Sequence, residues 1–201
     1  MERIAGIVLS GGKNTRMGAN KAFLTVEGER MIDRAVQILR DVCDEILVVT
    51  NEPLEYLDLG VTVVTDIFKG MGPLAGIHSG LFHAGAPRAF VCACDMPYLD
   101  APFIRYLVSL AEGYDIVVPC RGDRPEPLHA VYSLKCLPVI RSLLERNERK
   151  VTGFYKGFHI LTVGEAETAP FFAGQDPFLN VNTREQLRAL GRQPSAPGSR
   201  T

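Results

Sequence analysis

Long apolar runs are missing from this chain: no stretch approaches 18 uninterrupted apolar residues, so no membrane span is predicted. One-sided charge is missing as well. The 22 Lys and Arg residues stand against 23 Asp and Glu, a formal net charge of −1. A dedicated nucleic-acid or membrane-surface binder usually carries a basic excess, so neither partner is expected. A small anionic substrate needs only a few well-placed basic side chains and stays open. The stretch Met1 to Gly6 has no basic segment leading into an apolar run and a small-residue cleavage site. That pattern predicts no signal peptide. Cysteines 43, 92, 94, 120 and 136 are odd in number, scattered and without a second pair at zinc spacing. They read as reduced, mostly buried thiols of a cytoplasmic protein. Also absent are the GxxxxGK[ST] phosphate loop, the GxGxxG dinucleotide fingerprint and GxSxG, while the four histidines are too dispersed for a triad. A dinucleotide-dependent oxidoreductase is therefore disfavoured.

What is present is an alternation of short apolar runs and helical periodicity. Hydrophobic residues make up 46% and charged residues 22%, a globular composition that excludes wholesale disorder. Buried strands are predicted over Ile4 to Leu9, Ile46 to Thr50, Val61 to Thr65, Ala89 to Cys94 and Asp115 to Pro119. Helices are predicted over Met31 to Val42, Pro73 to Leu81 and Ala101 to Ala111. Beyond Pro119 the pattern loosens. Leu128 to Tyr132 and Gly157 to Val163 read as strands, Leu134 to Leu144 and Thr183 to Leu190 as helices. This order implies an α/β fold: a three-layer α/β/α sandwich around a Rossmann-like, mostly parallel sheet. One domain over residues 1–191 is expected, with the Pro-, Ser- and Gly-rich residues 192–201 as a frayed tail.

In open sheets of this kind ligands bind outside the carboxyl ends of the strands. The unusual polar residues fall there: Ser10-Gly11-Gly12, Asn51, Asp66 and Asp95. The run LSGGKNTRMGANK, Leu9 to Lys21, places a glycine turn after a buried strand, with Arg16 and Lys21 close behind. Without Cβ atoms in the way, backbone N–H groups can approach a phosphate, and the two cations suit a triphosphate. A glycine-rich turn with two solvated basic residues is the plainer reading. Asp95 can hold Mg²⁺, which favours oxygen ligands and keeps room for phosphate oxygens and water. It can equally cap the next helix, although Asp100, just before Ala101-Pro102, is the better cap. Asn51 can bond a base or ribose, or merely turn the chain ahead of Pro53.

These residues also carry a resemblance. LSGG, then RMG, then Lys21 looks like the signature loop of nucleotidyltransferases that activate sugars, isoprenoid precursors and pterins (the nucleotide-diphospho-sugar transferase type of fold). Asp66 with GPLAGI (Gly72 to Ile77), CDMPYL (Cys94 to Leu99) and NVNT (Asn180 to Thr183) resembles the molybdenum cofactor guanylyltransferases in order and spacing. The similarity runs from Ile4 to about Leu190. Two positions depart from the pattern: Asn14 stands where serine is common, and Asn20 precedes Lys21 where aspartate is frequent.

The resemblance implies transfer of GMP from GTP to the terminal phosphate of molybdopterin, with Mg²⁺ as cofactor and pyrophosphate as leaving group. With it, nucleotide contacts are expected from Leu9, Ser10, Gly11, Gly12, Lys21, Asp66 and Asp95, and from Asn51 where that residue is not merely a turn, with catalytic roles for Arg16, Lys21 and the magnesium ligand Asp95. Arg121 and Arg124 are candidates for the acceptor phosphate or sit in a solvated loop, Asn180 and Asn182 are candidates for the acceptor side, metal-bound water or the last helix cap, and Lys150 and Lys156 for the pterin. Proteins that insert the metal or take over the labile cofactor are the expected partners. The rival readings are a CTP-using pterin cytidylyltransferase, a nucleotidyltransferase acting on another phosphate, and a nucleotide-binding protein without turnover. Against the last, Arg16, Lys21 and Asp95 are all present.

Overall fold

The computed structural model describes residues 2–11, 20–172, 174–181 and 184–190. The first half of the chain forms β1 (Ile4–Leu9), a hairpin of β2 (Thr25–Val26) and β3 (Glu29–Arg30), α1 (Met31–Arg40), β4 (Glu45–Val49), β5 (Thr62–Val64) and α2 (Pro73–His83). It continues through β6 (Arg88–Ala93), α3 (Ala101–Ser109), β7 (Ile116–Arg121), β8 (Arg124–Pro125) and β9 (His129–Ser133). The α-helices and strands that follow are α4 (Leu137–Glu145), β10 (Ile160–Val163), α5 (Glu165–Thr168) and α6 (Arg184–Leu190), with short 3₁₀ helices between elements.

The main sheet has the order β10-β7-β9-β6-β1-β4-β5, with β8 paired to β7. β1 runs parallel to β4 and β6, β4 to β5, and β7 to β10. β9 is antiparallel to both neighbours, so β6 and β7 point the same way. The carboxyl ends of β1, β4, β5, β6, β7 and β10 therefore share one rim with the start of β9.

Strand alternation decides which side chains meet which helices. Val8, Val48, Phe90 and Val131 face α1 and α3, meeting Ile32, Leu39, Phe103 and Leu107. Ile7, Leu47, Val91 and Val118 face α2 and α4, meeting Leu74, Ile77, Ile140 and Leu143. Helices cover both faces, as the apolar runs required. Close approach of α2 to β1 depends on two glycines a helical turn apart. A Cβ at Gly80 would fall 2.6 Å from Ile7 Cγ2, and one at Gly76 3.1 Å from Leu9 Cδ2.

Several elements differ from the expectations. The antiparallel strand β9 sits between β6 and β7, because the short β7–β8 turn-back returns the chain along β7 without a helical crossover. The predicted helix over Leu134 to Leu144 is divided into a 3₁₀ turn, Leu134–Cys136, and α4, which carries Pro138 in its first turn. Gly157, at φ 96°, keeps the chain turning, and β10 begins only at Ile160. A 3₁₀ helix over Pro53–Leu59 and the β2–β3 hairpin were not foreseen. The hairpin turn places Glu27 and Gly28 both at positive φ, 55° and 88°. The expected tail, residues 192–201, lies outside the described residues.

Candidate active site

The rim around β1 is laced by backbone bonds. Ser10 N donates to Val49 O at 2.8 Å, Thr50 N to Val64 O at 2.9 Å, and Cys94 N to Leu9 O at 3.0 Å. These bonds extend the parallel ladder one residue past the strands and bring Ser10, Asn51, Asp66 and Asp95 to one edge. Leu9 and Ser10 are buried, and no atom of the described residues lies within 4 Å of where a Cβ on Gly11 would stand. Gly11 itself is exposed. Gly12 and Arg16, along with Asn182, lie outside the described residues.

Lys21 enters this edge from a short 3₁₀ helix, Lys21–Phe23, whose N-cap is Asn20; the Asn20 side chain accepts from Ala22 N. Lys21 Nζ stands 3.4 Å from Asp95 Oδ2, with side-chain exposures of 23% and 19%. The pair is close enough for strong attraction and open enough for a ligand to enter. Asp95 does not cap α3; that role falls to Asp100, whose Oδ1 accepts from Phe103 N at 2.7 Å. The Asp95 carbonyl accepts from Val181 N at 2.9 Å, which draws the segment ending in Asn180-Val181 to the same rim.

Asp66 lies beyond β5. Asn51 Nδ2 donates to its Oδ2 at 2.8 Å, while Oδ1 is buried and has no partner among the described residues. Burial raises the Asp66 pKa above its ordinary value, and the Asn51 bond opposes that rise. A stranded carboxylate oxygen costs about 1–3 kcal/mol or more, so it marks a place where a ligand donor fits. The loop behind it is fixed by Ile67 N donating to Ser79 Oγ at 2.9 Å and by Phe68 set edge-on to His78 at 5.0 Å.

Arg121 is placed differently from its expected role as a phosphate ligand. Its Nη2 reaches both Asp176 oxygens at 2.6 Å, its Nε stands 3.3 Å from Glu126, and its guanidinium lies 5.0 Å from the Phe178 ring centroid. Its charge is already matched. Arg124, Lys150 and Lys156 are exposed. The cysteines at 92, 94, 120 and 136 are buried free thiols, and burial pushes Cys94 up to about 12. No charge pattern in the sequence points to Tyr56, which is fully buried and whose hydroxyl meets Ser10 Oγ at 2.7 Å and Asn20 Nδ2 at 2.8 Å.

A carboxylate, a lysine and an open glycine backbone at one sheet edge can bind a triphosphate and stabilise charge on its leaving end. Comparison with known proteins agrees with that chemistry. Residues 6–159 match the MobA-like NTP transferase domain. The molybdenum cofactor guanylyltransferase of Desulfosudis oleivorans is 38% identical over 189 residues, covering 93% of this chain and 94% of that protein. The chain belongs to the molybdenum cofactor guanylyltransferase family. A probable molybdenum cofactor guanylyltransferase from Pelotomaculum thermopropionicum is 37% identical over 187 residues, 93% of this chain and 91% of that protein. The fold is that of molybdopterin-guanine dinucleotide biosynthesis protein A from Archaeoglobus fulgidus, with a TM-score of 0.79, 24% identity, and 93% and 96% of the two chains covered. The segment matched by the domain family takes in the glycine turn, Lys21, Asn51, Asp66 and Asp95 of this guanylyltransferase family member. Among the described residues no helix is long and apolar enough to cross a membrane.

Proposed function

We propose that this nucleotidyltransferase moves GMP from GTP to the terminal phosphate of molybdopterin, forming molybdopterin guanine dinucleotide and releasing pyrophosphate. The observation that carries the reading is the Lys21–Asp95 pair beside the carboxyl end of β6, on the same rim as the Asp66 oxygen that has no partner among the described residues. Ser10, Gly11 and Lys21 take the triphosphate, with Gly12 and Arg16 completing the loop. Asp66 and Asn51 take the guanine or its ribose: a buried acceptor oxygen suits the N1–H and N2–H₂ donors. Asp66 and Asp95 end strands three places apart in the sheet, a span of about 14 Å at the usual strand spacing. That span suits an extended nucleotide lying across β1 and β4.

In the transfer, an acceptor phosphate oxygen attacks the α-phosphorus of GTP, the bond to the β-phosphate bridging oxygen breaks, and its electron pair leaves with pyrophosphate. A phosphate is already anionic near neutral pH, so no general base is required. Lys21 balances charge on the leaving group, and Asp95 orients the reacting end. Among the described residues no group of three or more His, Cys, Asp or Glu side chains gathers to hold a metal. A single partly exposed carboxylate fits Mg²⁺, whose shell is otherwise filled by water and phosphate oxygens. Asp95 would hold it, and when bound it would neutralise phosphate charge.

The acceptor belongs on the β9–β7–β10 side of Asp95. There a cavity of about 350 Å³ is lined by Cys120, Arg121, Glu165, Phe172 and Phe178, among others. β7 ends two strands from β6, about 10 Å away, which suits a flat ring joined to a phosphate at Asp95. Cytoplasmic location and hand-over to a cofactor-inserting protein complete the reading. Calorimetry with GTP, CTP, ATP and UTP, each with and without Mg²⁺, tests it. GTP preference that depends on Mg²⁺ is expected; CTP preference would move the protein to the cytidylyl chemistry.

A further inference from the structure

We propose that Tyr56 is a positioning residue for the transfer step, its hydroxyl holding Lys21 at Asp95. The inference rests on the roles given above to those two residues. Tyr56 belongs to the 3₁₀ helix Pro53–Leu59, whose Leu54 and Leu57 are 81% and 70% exposed. Its own side chain is 0% exposed, packed against Phe23 with ring centroids 4.9 Å apart. A peripheral segment thus sends one aromatic side chain inward, and the ring fixes where its hydroxyl lies.

Two polar side chains converge on that hydroxyl. Ser10 Oγ lies at 2.7 Å, and Asn20 Nδ2 donates to it at 2.8 Å. Ser10 and Asn20 flank residues 11–19, so Tyr56 joins the two ends of the basic glycine segment. Beside Ser10, the Leu9 carbonyl accepts from the N–H of Cys94, the neighbour of Asp95, at 3.0 Å. From Asn20 they run through Oδ1, which accepts from Ala22 N at 3.2 Å and so caps the turn carrying Lys21. Lys21 closes the circuit at Asp95, 3.4 Å away. Burial raises the Tyr56 pKa, which keeps the phenol protonated, able to accept from Asn20 while donating onward. A lysine is a point charge on a long flexible stem, so its placement depends on what anchors its backbone.

The same contacts account for an asparagine at position 20. Asn20 Nδ2 also donates to Glu55 Oε2 at 2.8 Å. An aspartate would bring no donor to Tyr56 and would set its charge against Glu55. Residues 20, 55 and 56 therefore act as a set.

The test is steady-state kinetics with GTP and molybdopterin on Tyr56→Phe, Lys21→Ala and the double variant, with thermal unfolding measured alongside. Tyr56→Phe should lower kcat about tenfold while KM for GTP changes less than about threefold, because a misplaced lysine is felt in the transition state. In the Lys21→Ala background the same change should cost less than about twofold, since the hydroxyl acts through the lysine. Asn20→Asp should lower kcat in the same way, and Glu55→Gln added to it should restore most of the loss. A kcat for Tyr56→Phe within about twofold of wild type, or a full tenfold loss repeated without Lys21, overturns the proposal. Should Tyr56→Phe fail to fold, the Asn20→Asp and Glu55→Gln pair decides, absence of rescue counting against it. Full activity in Lys21→Ala would instead remove the underlying role of Lys21, and the Tyr56 proposal with it.

Discussion

The two halves of the rim treat charge in opposite ways. On the β1–β4–β5–β6 side, Asp66 keeps one oxygen buried without a described partner, and Lys21 and Asp95 face each other at 3.4 Å. On the β7–β10 side, Arg121 is gripped by Asp176 at 2.6 Å and flanked by Glu126, and Gly122 N donates to Glu165 at 2.9 Å. Polar groups matched at hydrogen-bond distance have little left for a ligand. The buried Asp66 oxygen, without a partner among the described residues, is where binding energy can be gained. The first half is thus the one proposed to take the anionic nucleotide, and the second offers shape and aromatic surface. A basic residue in the sequence says less than the partner it finds.

The contrast is tested most strongly at its charged centre. Lys21→Ala and Asp95→Ala should each lower kcat by about 10²–10³, the usual cost of removing one preorganised electrostatic contact. The circular dichroism spectrum should be unchanged, because both side chains sit at the open edge rather than in the core. Near-normal turnover in both would break the comparison at once. Asp66→Ala sharpens it. Losing a hydrogen bond to a charged group should weaken GTP binding by about ten- to a hundredfold in calorimetry. Convergence of GTP and CTP affinities would assign the carboxylate to the base. Equal weakening of both would assign it to the ribose.

The first half was the more legible in sequence, for a physical reason. Its strands are buried on both faces, so Ile4 to Leu9 and Ile46 to Val49 read as unbroken apolar runs, and each ends in a residue that must serve the rim. Asp100 as the cap of α3 followed from its place before Ala101-Pro102. The second half depends on pairings over long separations. Asp176 lies 55 residues from Arg121, and no local pattern announces that it will neutralise it. β9 reads as one more strand, and its antiparallel insertion is decided by the β7–β8 turn-back rather than by its own composition. Tyr56 was hidden for a related reason. Asn51-Glu52-Pro53 reads as a turn, and Leu54 and Leu57, the apolar neighbours that suggest burial, are the exposed ones.

His129 probes the second half from beneath. It is fully buried at the start of β9, among the rings of Phe90, Phe103 and Phe178, with neither ring nitrogen hydrogen-bonded among the described residues. Burial lowers its pKa from 6.5 to about 3. The unfolded chain takes up this proton near pH 6.5 and the folded chain only near 3. Between those values the unfolded state binds more protons, so stability falls as pH falls, by about 1.4 kcal/mol per pH unit from this one residue. His129→Leu should flatten the acid side of the stability profile by that slope, read from urea midpoints between pH 7 and 4. An unchanged slope would mean that water or local opening reaches the imidazole, and that this half is less closed than its packing suggests.

The smallest effect is expected at Arg121. With Asp176 and Glu126 already matching its charge, Arg121→Ala should leave kcat and the acceptor KM within about threefold of wild type. The exposed ion pairs and the Phe178 contact together should cost about 1 kcal/mol of stability or less. Asp176→Asn is the converse experiment, since it weakens the grip while keeping the side chain's shape. If pairing is what withholds Arg121, this change should lower the acceptor KM, because a guanidinium released beside the cavity binds a phosphate or an acidic ring edge. A large loss of acceptor binding in Arg121→Ala would point the other way. The Arg121–Asp176 pair would then have to open when the acceptor arrives, and the contrast between the two halves would describe the resting enzyme rather than the working one.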